Sequence, residues 1–223
     1  MSVKLLGQAL VKVFVGIILI GVLLFVPAGS LAYWQGWLLM GILFIPMIIA
    51  GFVMMAKCPE LLKKRLNAKE EQAEQKMVVV CSGLMFVGAF VAAGLNYRFQ
   101  WIPLPPIVSY IFAVVFLIGY ILYAEVLKEN EYLSRTVEVQ ENQKVIDTGL
   151  YGVVRHPMYM STFILFLSMP LVLGSVISFI IMLVYIPIIA KRIRNEEQVL
   201  ESGLEGYAEY KTRVKNKVIP FIW

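Results

Sequence analysis

Four stretches of this chain contain no Asp, Glu, Lys or Arg: Val13 to Ala56, Met77 to Tyr97, Phe99 to Ala124 and Pro157 to Ala190. About twenty apolar residues cross a bilayer core, so the first stretch holds two crossings and the next two hold one each. The first span is read from Val13 to Ala32, with Pro27 and Gly29 at its far end and Tyr33, Trp34 and Trp37 in the place of an interfacial aromatic belt. The second, Leu38 to Ala56, returns the chain to its starting side. Lys57 to Lys76 reads as a helical cytoplasmic connection, since Leu61, Leu62 and Leu66 alternate with its charges. Met77 to Tyr97 is the third span. Arg98 to Pro106, with three prolines, is a short outer loop. Ile107 to Ala124 is the fourth span. Glu125 to Thr148 is polar, helical at first and extended near Val137 to Ile146.

The fourth stretch decides the topology. As one helix, Met158 to Ala190 would be about 50 Å long against a hydrocarbon core of about 30 Å. Pro170 and the Gly174-Ser175 pair offer a turn near its middle. A single crossing would also strand the seven Lys and Arg residues that follow it on the outer side. A helical hairpin avoids both problems. From Lys191 onward, Ile193, Leu200, Leu204, Tyr207, Tyr210 and Val214 recur at helical spacing and predict an amphipathic cytosolic tail helix. The expected fold is therefore all-α and integral to the membrane: four transmembrane helices, a C-terminal membrane hairpin and a tail helix. Residues 1–136 form the N-terminal membrane part and residues 137–223 a cofactor-binding catalytic region.

Charge sharpens this picture. Sixty per cent of the residues are hydrophobic, 16 per cent are charged, and the formal net charge is +5. In the topology above only Arg98 among the 20 Lys and Arg residues faces outward. That is the positive-inside pattern of a multi-pass protein with both termini cytoplasmic, in the plasma membrane if the source is prokaryotic, and not a nucleic-acid groove. The apolar run after Lys4 and Lys12 continues through Trp34 and Trp37, which favours a retained anchor over a cleaved signal. Cys58 and Cys81 have no ligand spacing, and a single His excludes a multi-histidine metal centre, so no metal site is expected.

Two polar clusters flank the hairpin: Gly149 to Tyr159 before it, and Arg192 to Leu200 after it. A hairpin joins its own ends, so the clusters should meet at the cytoplasmic membrane surface, in a pocket open to both a polar cofactor and a lipophilic substrate. His156 could simply precede a helix begun by Pro157, but Pro157 also keeps it extended and able to point into a pocket. Glu196 and Glu197 could be a solvated face, with Arg192 and Glu196 as a weak i,i+4 pair. Beside a membrane hairpin, a double carboxylate equally suits a cationic or hydroxyl-rich cofactor. Tyr207 and Tyr210 could offer aromatic faces to a cation.

Taken together, Gly149-x-Tyr151, Arg155-His156-Pro157-x-Tyr159, Arg192, Glu196-Glu197-x-x-Leu200, Gly206-Tyr207-x-x-Tyr210, Val214 and Pro220 resemble the isoprenylcysteine carboxyl methyltransferase family. The resemblance covers roughly residues 137 to 223, in the family's order. It implies S-adenosyl-L-methionine as methyl donor and a lipophilic or lipidated acceptor, such as a prenylcysteine-like carboxylate, entering from the bilayer. Carried over by position, it implies that Gln140, Lys144, Val145, Tyr151, His156, Pro157, Tyr159 and Glu196 line the cofactor pocket. Arg192 would face the acceptor as a catalytic residue, with Glu197 beside it. The family's usual glycine after the Arg-His-Pro-x-Tyr element is replaced by Met160 and Ser161. A carboxylate acceptor is ionised at neutral pH, so methyl transfer needs positioning and dryness rather than a base. For an amine or phenol acceptor, His156 or a glutamate would be the candidate base.

Phospholipid N-methyltransferases share the double Glu but also carry a Gly-x-Gly element that this chain lacks. NADPH-dependent membrane sterol reductases end in a similar Arg-His-Pro-x-Tyr segment but would want extra cations for the 2′-phosphate. A transporter should place ionisable groups near the midplane, and these spans have none.

Overall fold

The computed structural model describes residues 3–66, 73–134 and 137–223. Part of the expected Lys57 to Lys76 connection (67–72) and the division at 136 lie outside the described residues. Among the described residues there is no β-strand. The helices are α1 (Val3–Ala28), α2 (Trp34–Lys57), α3 (Pro59–Leu66), α4 (Ala73–Phe99), α5 (Pro106–Glu129), α6 (Pro157–Val172), α7 (Val176–Met182), α8 (Tyr185–Gly203) and α9 (Tyr207–Arg213).

Among the described residues, five segments are long and apolar enough to cross a membrane: Leu5–Ala28, Trp34–Lys57, Lys76–Phe99, Pro106–Glu129 and Val176–Gly203. In the first four the charge-free parts are apolar on every face, and many side chains remain exposed, among them Phe14, Val26, Leu84 and Ile121. A helix apolar on every face is stable only where lipid or protein covers it. These features mark the chain as an integral membrane protein.

Several helices extend beyond the charge-free stretches at their charged ends. α1 starts at Val3, ten residues before the expected Val13, and the ammonium of Lys12 donates to the carbonyl of Leu66 at the end of α3. One amphipathic surface can absorb an isolated lysine without interrupting the backbone ladder. Gly94 lets α4 lie against α1. A Cβ there would sit 2.6 Å from the Leu24 carbonyl oxygen and 3.0 Å from the Ala28 nitrogen, both backbone atoms. Gly94→Ala is expected to cost about 1–3 kcal/mol by overpacking, read as a lowered thermal midpoint in detergent. An unchanged midpoint would mean that the two helices are free to separate.

At the far end of the bundle, Asn96 donates to the Gly174 carbonyl at 3.3 Å and accepts from the Ile102 amide at 3.1 Å. The Tyr33 hydroxyl donates to the Leu173 carbonyl at 2.7 Å. The chain turns at Gly174-Ser175, and Ser175 caps α7 by accepting from the Ser178 amide at 3.1 Å. Pro170 lies within α6 and does not make the turn.

The tail differs from expectation. No separate helix starts at Lys191; α8 runs unbroken from Tyr185 through the charged cluster to Gly203. The register of apolar positions carries over from the membrane segment into the charged one, so the helix continues to Gly203, after which Leu204 is extended. Gly206, with φ of +81°, turns the chain into α9. The polar stretch 137–146 is irregular rather than a strand, with a turn in which the Gln143 amide donates to the Gln140 carbonyl at 3.1 Å.

Candidate functional site

The outward run of α6 and the return through α7 and α8 bring residues 155–159 against residues 192–197. Proline at the first turn of α6 holds His156 outside the helix, at φ −124° and ψ 63°. Glu196 and Glu197 are adjacent on α8, so their side chains diverge by about 100°. The two carboxylates consequently enter different environments.

Glu197 turns inward and is buried. Its Oε1 accepts from Arg155 Nε and pairs with Arg155 Nη2, each at 2.8 Å, and lies 3.3 Å from His156 Nε2. Its Oε2 pairs with Lys217 Nζ at 3.0 Å. Arg155 Nη1 also donates to the carbonyls of Val214 and Lys215, at 2.7 and 2.8 Å. The backbone amides of Arg155 and His156 donate to the carbonyls of Asn216 and Lys217, at 3.0 and 2.8 Å. One buried carboxylate thus ties three separate segments together: the start of α6, the middle of α8 and the chain after α9.

Glu196 turns the other way, into a pocket. The Tyr159 hydroxyl donates to its Oε2 at 2.5 Å and accepts from Arg192 Nε at 2.9 Å. His156 Nδ1 is 3.9 Å from Glu196 Oε1. Arg192, Tyr159 and Glu196 therefore form one polar chain along the base of the pocket, with His156 beside it.

The pocket opens to solvent, and the space between its walls, counting the part that is open, is about 860 Å³. Leu133, Val137, Lys144 and Val145 line one side, from the irregular segment after α5. Leu204, Tyr207 and Tyr210 also line the pocket, in a cluster against which Val145 packs. That irregular segment is held from outside by α3. Lys64 Nζ donates to Gln140 Oε1 at 2.6 Å, and Arg65 donates to the Ser134 carbonyl at 3.4 Å and to the Tyr123 hydroxyl. Tyr151, on a 3-10 turn at Gly149–Gly152, accepts from Asn130 Nδ2 at 2.8 Å, and the Tyr210 hydroxyl donates to the Tyr151 carbonyl at 2.7 Å.

Burial pushes the phenols of Tyr151, Tyr207 and Tyr210 above their ordinary value of 10.0, and for Tyr207 the charges of Glu197 and Glu196 add to it. All three are neutral hydroxyls. That of Tyr207 is buried and, among the described residues, has no hydrogen-bond partner. An unsatisfied buried hydroxyl costs about 1–3 kcal/mol, and here it lies at the wall of an open pocket.

Of the residues singled out in the sequence, Lys144, Val145, Tyr151, His156, Tyr159, Arg192 and Glu196 line this one pocket. Three do not. Gln140 braces the wall from behind, donating to the Tyr132 carbonyl at 2.5 Å while accepting from Lys64; Gln143 lines the pocket in its stead. Pro157 starts α6 without reaching the cavity. Glu197 is fully engaged with Arg155, His156 and Lys217, so it holds the site together rather than standing beside an acceptor. Asn130, Glu138 and Met158 also line the pocket and were not anticipated. Met158 was within reach of sequence reasoning, between His156 and Tyr159. Asn130 and Glu138 carry no motif.

Fold and site define a polytopic membrane protein with a pocket lined by charged, aromatic and apolar side chains at its charged face. Residues 110–202 match the isoprenylcysteine carboxyl methyltransferase (ICMT) family, which bears out the resemblance carried by the motifs and supports a membrane methyltransferase. The chain is also similar to the Delta(14)-sterol reductase TM7SF2 of Mus musculus, with 28% identity over 91 residues, 40% of this chain and 22% of that protein. It thus spans less than a quarter of the length of the curated relative it matches. Tyr207, Tyr210 and the chain that grips Arg155 lie beyond the segment matched to the family.

Proposed function

We propose that this protein transfers a methyl group from S-adenosyl-L-methionine to a lipophilic acceptor, a carboxylate such as that of a prenylcysteine-like substrate. Both termini and the charged segments lie on the cytoplasmic side, and the acceptor enters from the bilayer. The observation that carries the reading is the character of the pocket: two carboxylates, Glu138 and Glu196, among aromatic rings and the unpartnered Tyr207 hydroxyl.

The residues present fit the donor. When bound, S-adenosyl-L-methionine supplies a methyl group made electrophilic by its sulfonium. Glu196 and the faces of Tyr207 and Tyr210 suit a cation; the Tyr207 hydroxyl and Glu138 suit a ribose or an amine; Lys144 suits a carboxylate. Arg192, at the membrane side of the polar chain, orients the acceptor carboxylate. Tyr159 keeps that guanidinium in register with Glu196, and the apolar wall of Leu133, Val137 and Val145 excludes water.

The likeness to a sterol reductase favours a second reading, an NADPH-dependent reductase. Against it stand the cations available for a 2′-phosphate. Among the described residues that line the pocket, Arg155 is bound to Glu197 and two carbonyls, which leaves Arg192, held at Nε by Tyr159, and Lys144. Isothermal titration of the detergent-purified protein with S-adenosylhomocysteine and with NADPH separates the two. Binding of the first and not the second is expected; the reverse would make the protein a reductase. Tyr207→Phe refines the test. Its hydroxyl has no partner to lose, so the thermal midpoint should hold, while loss of one hydrogen bond weakens S-adenosylhomocysteine binding by about 2- to 10-fold. Unchanged affinity would place the ligand away from Tyr207.

A further inference from the structure

The last residues of the chain fold into a compact turn with its apolar side chains outward. The amides of Val218 and Ile219 both donate to the Trp223 carbonyl at 2.8 Å, and the amide of Trp223 donates to the Ile219 carbonyl at 3.0 Å. Val218 and Trp223 face inward, packed on the cluster formed by Met85 of α4 and Tyr185, Ile189 and Ile193 of α8. Ile219, Phe221 and Ile222 face out; Phe221 is 95% and Ile222 80% exposed. Phe221 also adopts φ +63°, a left-handed conformation that costs a bulky residue about 1–3 kcal/mol. Burying a Phe side chain returns about 1.5–3 kcal/mol, so this turn is costly in water and is offset where an apolar phase covers it.

Its position identifies that phase. The membrane-crossing segment of α4 begins at Lys76, and on α8 the first charges after the apolar run are Lys191 and Arg192. The cluster under the turn straddles that limit on α8, with Tyr185 and Ile189 before the first charges and Ile193 just after them, and reaches Met85 within the crossing segment of α4. The neighbouring membrane-facing surface is already apolar and exposed, with Val80 and Leu84 on α4 and Ile186 on α8. Lys215, exposed at the base of the turn, suits an anionic headgroup.

We propose that the 219–222 turn is an interfacial anchor that inserts Phe221 and Ile222 into the leaflet beside α4 and α8. The same segment presents the carbonyls of Val214 to Lys217 to Arg155 and His156, so the anchor holds the tail against the site from the membrane side. The inference is independent of which ligand the pocket takes.

Cys58 and Cys81 are both exposed, so the test uses a Cys58→Ser, Cys81→Ser background with one new cysteine at a time, labelled with an environment-sensitive fluorophore in lipid nanodiscs. Phe221→Cys and Ile222→Cys are compared with Leu84→Cys, on the membrane-facing side of α4, and Glu205→Cys, on the exposed tail. Labels at 221 and 222 should emit towards the blue like that at 84. Lipids brominated in the upper acyl chain should quench them at least twofold more strongly than the label at 205. Emission and quenching equal to those at 205 at both positions would overturn the proposal. So would a blue shift that brominated lipid leaves unquenched, because that is the signature of contact with a second protein chain.

Discussion

Arg155→Met is expected to destabilise the folded protein by about 3–5 kcal/mol, the cost of removing one partner from a buried ion pair. The guanidinium is buried and spends its donors on Glu197 and on the carbonyls of Val214 and Lys215. Without it, Glu197 keeps Lys217 and His156 but loses its two shortest contacts, and two backbone carbonyls lose a donor. Arg155→Lys should not restore the loss, since one ammonium cannot span a carboxylate and two carbonyls in the planar geometry of guanidinium. Unfolding followed by circular dichroism in detergent, at fixed lipid and protein concentration, measures the change. A variant within about 0.5 kcal/mol of the parent, the range of ordinary surface substitutions, would show that the tail is held by other contacts.

Glu196→Gln should have the opposite profile: little change in stability, and a donor affinity reduced by about 10- to 100-fold. Its side chain is a quarter exposed at 25% and lines the pocket, so the folded state does not depend on its charge as it does on that of Glu197. Gln keeps the size and still accepts from Tyr159. What disappears is the negative charge, and hydrogen bonds to charged groups contribute about 1.5–3 kcal/mol, which corresponds to that range of affinity. Titration with S-adenosyl-L-methionine reads it directly, and Glu197→Gln serves as the contrast, with stability falling first. Equal losses of affinity and stability in both variants would mean that the two carboxylates share one role.

Much of the fold was legible because a bilayer imposes a simple rule. Backbone groups in lipid must be satisfied within a helix, so length and absence of charge locate Leu38 to Ala56 or Ile107 to Ala124 without any knowledge of packing. Boundaries were less legible. α1 extends ten residues before its charge-free run, and α8 joins the second apolar segment to the charged tail, because helical backbone continues wherever nothing breaks it. The chemistry was legible as residue types around Arg155-His156-Pro157-x-Tyr159 and Glu196-Glu197, since a chain that turns back on itself must bring those clusters together.

Direction was settled only in three dimensions. The two glutamates are equivalent as letters; the helix separates them by about 100°, and what surrounds α8 sends one into a pocket and the other to Arg155, His156 and Lys217. Gln140 and Gln143 are likewise interchangeable until the turn between them faces Gln143 inward and α3 captures Gln140. Local sequence determined the helices, their membrane character and the residues available for chemistry, because these follow from solvent transfer and backbone hydrogen bonding within one segment. Which of those residues touch the cavity and which brace it depended on contacts between segments up to 76 positions apart, as between Lys64 and Gln140, and no periodicity in the chain encodes such a distance.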